Sequence, residues 1–354
     1  MPDPTPMTPT PSMPAVPARA GFVRQLLVGR DGIRAPWSVA IFACFVALAA
    51  IALGLLVVLA DKHLAPASNA AGLIGSLKTG QPIQANGMSP SRVGIPSLSL
   101  LVPVLVATAL MGLIERRSPW SYGFGDRRAF RHFGVGLGWG FVALSALIGL
   151  LVVTGHLTID GATESAPIAL RYAVLWGIAF LTVGLFEESV TRGYLQATLT
   201  RGIGFRPAAV LISLLFGSAH YGNPGETAIG LAGAGAAGLV FCYSLWRSGS
   251  LWWAIGFHTS WDWAQSYFYG THDSGTLSRG RLLASHPSGP EWLSGGTVGP
   301  EGSVLVFVVL LAVIFVIHWT LTPPPGGLYA ATVAPLAAPS AASPAVAGSP
   351  VPGA

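Results

Sequence analysis

Charge is what this sequence has least of. Asp, Glu, Lys and Arg make up 9% of its 354 residues, against ~25% in an average soluble domain, which excludes a water-solvated globule. Cysteine is scarce too: Cys44 and Cys242 both fall inside apolar runs, so no disulfide framework is expected, and zinc-finger spacing is missing. No basic patch interleaved with aromatics accompanies the formal charge of +5, so nucleic acid is not an expected partner. No repeat of 20–50 residues is visible, and the glycine-rich run near 230–238 has neither a preceding strand nor the lysine of a phosphate loop. What the chain does have is hydrophobicity, 52% apolar residues at a mean hydropathy of +0.60. These values describe an integral membrane protein.

The apolar residues come as continuous runs rather than alternating ones, so helices are expected and a barrel is not. Eight spans follow at about Trp37–Ala60, Ser97–Ile114, Phe133–Thr154, Leu170–Leu199, Pro207–Tyr221, Thr227–Trp246, Leu251–Tyr269 and Ser303–Thr322. The fold class is therefore all-α, a polytopic membrane bundle of about eight helices over 37–322. Residues 1–36 hold a Pro-rich tract expected to be disordered, then a basic segment with Arg19, Arg24, Arg30 and Arg34. The first apolar run comes late and is long, which reads as an uncleaved anchor rather than a signal peptide. Residues 323–354 form a second low-complexity tail; its last four residues carry no cysteine, so prenylation of this chain is not expected.

Arginines assign the sides. Arg116, Arg117, Arg127, Arg128 and Arg131 fill the second loop, Arg201 and Arg206 follow the fourth span, and Arg247 follows the sixth. The loop 155–167 carries Asp160 and Glu164 and no cation. Both termini are then expected to be cytoplasmic. Small residues in the sixth span (Gly230, Gly233, Gly235, Gly238) suit close helix packing. Trp252, Trp253 and Trp319 read as interfacial belt residues.

Against this background six ionisable residues stand out. Glu187, Glu188 and Arg192 sit in the fourth span, His220 in the fifth, and His258 and Asp262 in the seventh. Ionisable groups at such a depth cost at least ~2.5–3.5 kcal/mol each on the insertion scale and mark function or a pair facing the bundle interior. Glu188 and Arg192 are i and i+4 with the acid first, the favourable order for a pair. Glu187 is turned ~100° away around the axis, which leaves it for another task. Counted from the cytoplasmic helix ends at 1.5 Å per residue, Glu187 lies ~20 Å deep, His220 ~21 Å, and His258 and Asp262 ~12–18 Å. Three helices thus bring two histidines and up to three carboxylates to overlapping depths.

Those residue types suit hydrolysis. A carboxylate such as Glu187 in an apolar cavity can take a proton from water. Histidines can polarise a carbonyl, stabilise an oxyanion or bind a metal. Asp262, one turn beyond His258, can orient that ring or itself serve as a ligand. Glu187, His220, His258 and Asp262 together also match the donor types of hydrolytic sites holding Zn2+ or another divalent metal.

The order Glu187-Glu188…Arg192, then Phe216…His220, then His258…Asp262, each on its own membrane helix, resembles the CPBP family of intramembrane metalloproteases. That family joins the type 2 CAAX prenyl proteases to the bacterial Abi, bacteriocin-immunity-like proteins. The resemblance covers roughly residues 170–270, and Arg192-Gly193-Tyr194-Leu195-Gln196 and Trp261-Asp262-Trp263 add to it. It implies an all-helical intramembrane endopeptidase in which the first glutamate and first histidine activate water and the last motif stabilises the oxyanion. It implies a membrane-anchored peptide or protein substrate, prenylated in part of the family, and residence in the plasma (inner) membrane of a bacterium. The third motif here ends in Asp262 where the prenyl proteases favour Asn, which raises the weight of a ligand or His-orienting role. Thr191 stands where an aromatic often precedes the arginine.

Taken singly, these residues have plainer readings. Glu188–Arg192 reads as a structural ion pair, His220 as a satisfied core histidine, and His258–Asp262 as a buried hydrogen-bonded pair. Their joint occurrence favours a site. A transporter or proton relay built on the same cluster is the alternative, though neither an inverted repeat nor paired broken helices accompany it. A family member acting in bacteriocin immunity without turnover is a third reading. His63, His132, His156, His272, His286 and His318 have no partner at recognisable spacing.

Overall fold

The computed structural model describes residues 26–29, 32–64 and 87–323. Most of the two tails and of the loop 61–96 lies outside the described residues, as does the side chain of His63. Within the basic N-terminal segment, a minimal hairpin pairs β1 (Val28–Gly29) with β2 (Gly32–Ile33).

Every apolar run becomes helix. The long elements are α1 (Ala35–Leu64), α2 (Pro90–Glu115), α3 (Ala129–Val153) and α4 (Ala166–Glu188). A π-helical turn, Ser189–Leu195, carries α4 into α5 (Gln196–Ile203). Then come α6 (Phe205–Ala219), α7 (Ala228–Ser248), α8 (Trp252–Asp262) with a second π-helical turn over Trp263–Phe268, and α9 (Leu305–Thr320). Among the described residues, five stretches are long and apolar enough to cross a membrane: Ala35–Val57, Pro90–Glu115, Ala129–Val153, Ala166–Ile203 and Ala228–Ser248; Leu305–Thr320 is apolar but shorter.

Lipid is as apolar as these side chains, so helix association rests on close fit rather than on hydrophobic burial. The tightest pair is α3 with α8, and glycines explain why. A Cβ at Gly136 or Gly140 would collide with the backbone carbonyls of Trp253 and Phe257, and one at Gly256 with the carbonyl of Phe133. The helix carrying His258 is thereby seated directly on the α3 backbone. Trp253 is fully buried there and stacks on Phe257, so the expected belt role fails for it; Trp252 bonds the Phe124 carbonyl, and Trp319 is exposed. The glycines of α7 pack as expected, facing α6 and the loop before α9.

The connections after α3 and α8 are more ordered than loops. β3 (Leu157–Ala162) pairs antiparallel with β6 (Leu283–Pro287), Thr158 opposite His286, across more than a hundred residues. A hairpin of β4 (His272–Asp273) and β5 (Thr276–Leu277) precedes β6. Its turn glycine, Gly275, has φ +76°, and a Cβ there would collide with the Pro224 carbonyl. The hairpin therefore presses on the α6–α7 connection.

Three of the histidines without a partner at recognisable spacing meet a carboxylate or a phenol in the fold. His132 Nδ1 lies 2.5 Å from Asp126, His286 Nδ1 2.9 Å from Asp160, and His318 Nδ1 3.1 Å from the Tyr243 hydroxyl. Asp160 and Tyr243 come from other elements, beyond the reach of local spacing, whereas Asp126 lies in the turn just before α3.

Candidate active site

The two π-helical turns follow directly on the two motif-bearing helix segments, Glu187-Glu188 and His258…Asp262. Such turns rotate the chain by an extra residue and recur at functional sites. In the first, Gly193 leaves helical geometry altogether, with ψ −115°.

Glu188 is fully buried. Its Oε1 accepts from Arg192 Nη1 at 3.1 Å and from His258 Nδ1 at 3.2 Å. Arg192 is equally enclosed, with its guanidinium carbon 4.3 Å from the centroid of the Phe216 ring and 5.5 Å from that of Phe241. Its Nη1 also donates to Thr191 Oγ1 at 2.8 Å. The expected i,i+4 pair forms, and it does more than neutralise a charge, since the same carboxylate oxygen holds a histidine from another helix.

His258 is the hub. Its ring stacks on Phe241 with centroids 5.4 Å apart. With Nδ1 on Glu188, Nε2 looks toward Asp262 Oδ2 at 3.6 Å and Glu187 Oε2 at 3.7 Å. Glu187 keeps part of its side chain accessible and belongs to the site rather than to the ion pair. His220 stands apart from these carboxylates. Its Nδ1 lies 2.8 Å from the Phe216 carbonyl, which only accepts, so Nδ1 carries the hydrogen and Nε2 is the free acceptor of the neutral ring.

Glu187, His220, His258 and Asp262 all line one cavity of about 610 Å3. The sequence reading missed three further carboxylates on its wall, Glu226, Asp273 and Glu301. Asp273 accepts from Ser266 Oγ at 2.6 Å, and Glu301 accepts from the Ser274 amide at 2.7 Å and from the Gln265 side chain. Burial pushes the Asp273 carboxyl above its ordinary range. Burial, and then the nearby Asp273, push Glu301 well above its own. Both sit in the 270–302 connection, where no periodicity marks them; only the β4–β5 hairpin and the turn before α9 bring them to the cavity.

Among the described residues no group of three or more His, Cys, Asp or Glu side chains is arranged to hold a metal ion. Glu187 and Asp262 gather around His258 Nε2, while His220 stands apart on the same cavity.

Residues 169–264 match the family model described as Type II CAAX prenyl endopeptidase Rce1-like. That stretch is similar to the Rce1-like family. It holds all six motif residues and ends before Asp273 and Glu301. Comparison with curated proteins and with solved structures returns no match. The Rce1-like match and the long apolar helices together indicate an integral membrane protein.

Proposed function

We propose that the protein is an intramembrane endopeptidase that hydrolyses a peptide bond in a membrane-associated substrate. The observation carrying this reading is that Glu187, His220, His258 and Asp262, from three helices, line one cavity with a buried Glu188–Arg192 pair behind them. Glu187 takes a proton from the attacking water, assisted by the free Nε2 of His220. As the carbon–nitrogen bond breaks, that proton passes to the leaving amine, so the carboxylate is regenerated. His258, fixed at Nδ1 by Glu188, presents Nε2 to the same space for the developing oxyanion, and Asp262 orients its ring. The cavity wall also carries Val183, Phe186, Val190, Leu215 and Leu310, which suits a substrate with an apolar anchor such as a prenyl chain.

In this reading all eight spans cross the bilayer of a bacterial plasma membrane. Both termini are cytoplasmic, and the tails 1–36 and 323–354 flank the catalytic bundle. The test is cleavage of membrane-anchored peptides, prenylated and not, by purified protein with and without chelator. Parent protein cleaves and Glu187→Ala does not. Full hydrolysis by Glu187→Ala overturns the mechanism, and loss of activity with chelator reopens a metal-dependent one.

A further inference from the structure

The guanidinium of Arg192 is walled by side chains from α6 and α7, and at one point on α7 the wall is a glycine. Phe216 and Phe241 lie within cation–π distance of it, while Glu188 and Thr191 hold Nη1. A Cβ at Gly238 would stand 2.8 Å from Arg192 Nη2 and 3.1 Å from both Cβ and Oγ of Ser213. An arginine tip can usually swing away from such a contact. This one is fully buried against two rings, which leaves it little room to move. Displacing Nη2 drags Nη1 from the Glu188 oxygen that also anchors His258 at 3.2 Å. Gly235, one turn earlier on the same helix, differs: its Cβ would meet only the Ser213 carbonyl at 3.5 Å, an ordinary contact.

We propose that Gly238 is a positioning residue of the site. Its missing side chain forms the recess that seats Arg192 and, through Glu188, sets the orientation of His258. The kinetic consequence rests on the endopeptidase reading; the seating of Arg192 does not. Neither motif spacing nor helix propensity marks the position, since as a helix-interior glycine it looks like one more small packing residue.

Gly238→Ala and Gly235→Ala form a matched pair, because both raise the helix propensity of α7 equally. With a cleavable peptide, Gly238→Ala is expected to lower kcat roughly 10–100-fold at little changed KM, the scale of a misplacement of about 1 Å. Gly235→Ala should stay within about 2-fold of parent. A second arm needs no turnover: thermal unfolding in detergent of Gly238→Ala alone and combined with Arg192→Lys, a substitution that removes the Nη2 atom. The alanine is expected to lower Tm in the parent background and to lose that effect in the Arg192→Lys background. Parental kinetics together with equal Tm shifts in both backgrounds overturn the proposal. So does failure to fold in both backgrounds, which would make Gly238 a plain packing residue, whereas folding restored by Arg192→Lys supports it. If the parent cleaves nothing, the endopeptidase reading falls while the Tm cycle still decides the seating of Arg192.

Discussion

The chemistry narrows to the two nitrogens of one imidazole. His258 Nδ1 is committed to Glu188, and Nε2 faces Asp262 and Glu187 at 3.6 and 3.7 Å. If the Asp262 carboxylate orients this ring, replacing it by a neutral amide removes the charge that holds Nε2. Asp262→Asn is therefore expected to lose roughly 10–100-fold in activity, the size of effect seen for outer carboxylates that orient a functional histidine. The steady-state rate of the purified variant checks this. A variant as fast as the parent would assign Asp262 the neutral donor role that Asn has in the prenyl proteases. Arg192 shows why residue-level reasoning reached this far: i,i+4 spacing gave its partner correctly. It could not give the aromatic rings on either side, which arrive from α6 and α7.

At the level of elements, helix existence was legible and connections were not. Each of the eight apolar runs became helix because continuous apolar sequence in lipid must satisfy its backbone internally. The π-helical turns, the glycine contact of α3 with α8 and the β3–β6 ladder depend on partners distant in sequence, which hydropathy does not see. The acidic wall supplied by the 270–302 connection belongs to the same class, and it has a measurable signature. Burial first, and Asp273 second, raise the Glu301 carboxyl in the fold, so folding retains a proton that the unfolded chain gives up. That contribution is complete below the ordinary glutamate value of about 4.3 and is lost as pH rises through the higher folded value. Tm in detergent should thus fall as pH increases from about 4.3 upward. Glu301→Gln should flatten that slope and raise Tm at alkaline pH. An unchanged slope in the variant would remove Glu301 as its source.

At the scale of the whole molecule, orientation governs which side supplies the substrate. The arginine-rich 116–131 connection and the cation-free 155–167 connection lie at opposite ends of α3, and the positive-inside rule puts the first in the cytoplasm. In intact cells, single cysteines placed at 127–131 in a chain otherwise free of cysteine are expected to resist an impermeant thiol reagent. Cysteines at 158–164 are expected to react. The opposite pattern would invert the bundle and place the Asp273–Glu301 wall on the cytoplasmic side.

The pairing of β3 with β6 also sets a schedule for biosynthesis. The two strands bracket the Rce1-like stretch, so the ribosome makes every motif residue before β6 exists. At ~5–20 residues per second, β3 waits roughly 6–25 s for its partner. Glu301, Val306 and Leu310, which complete the cavity wall, are made later still, after every motif residue. The complete cavity wall is therefore a late product of translation, timed by the last third of the chain rather than by the Rce1-like stretch.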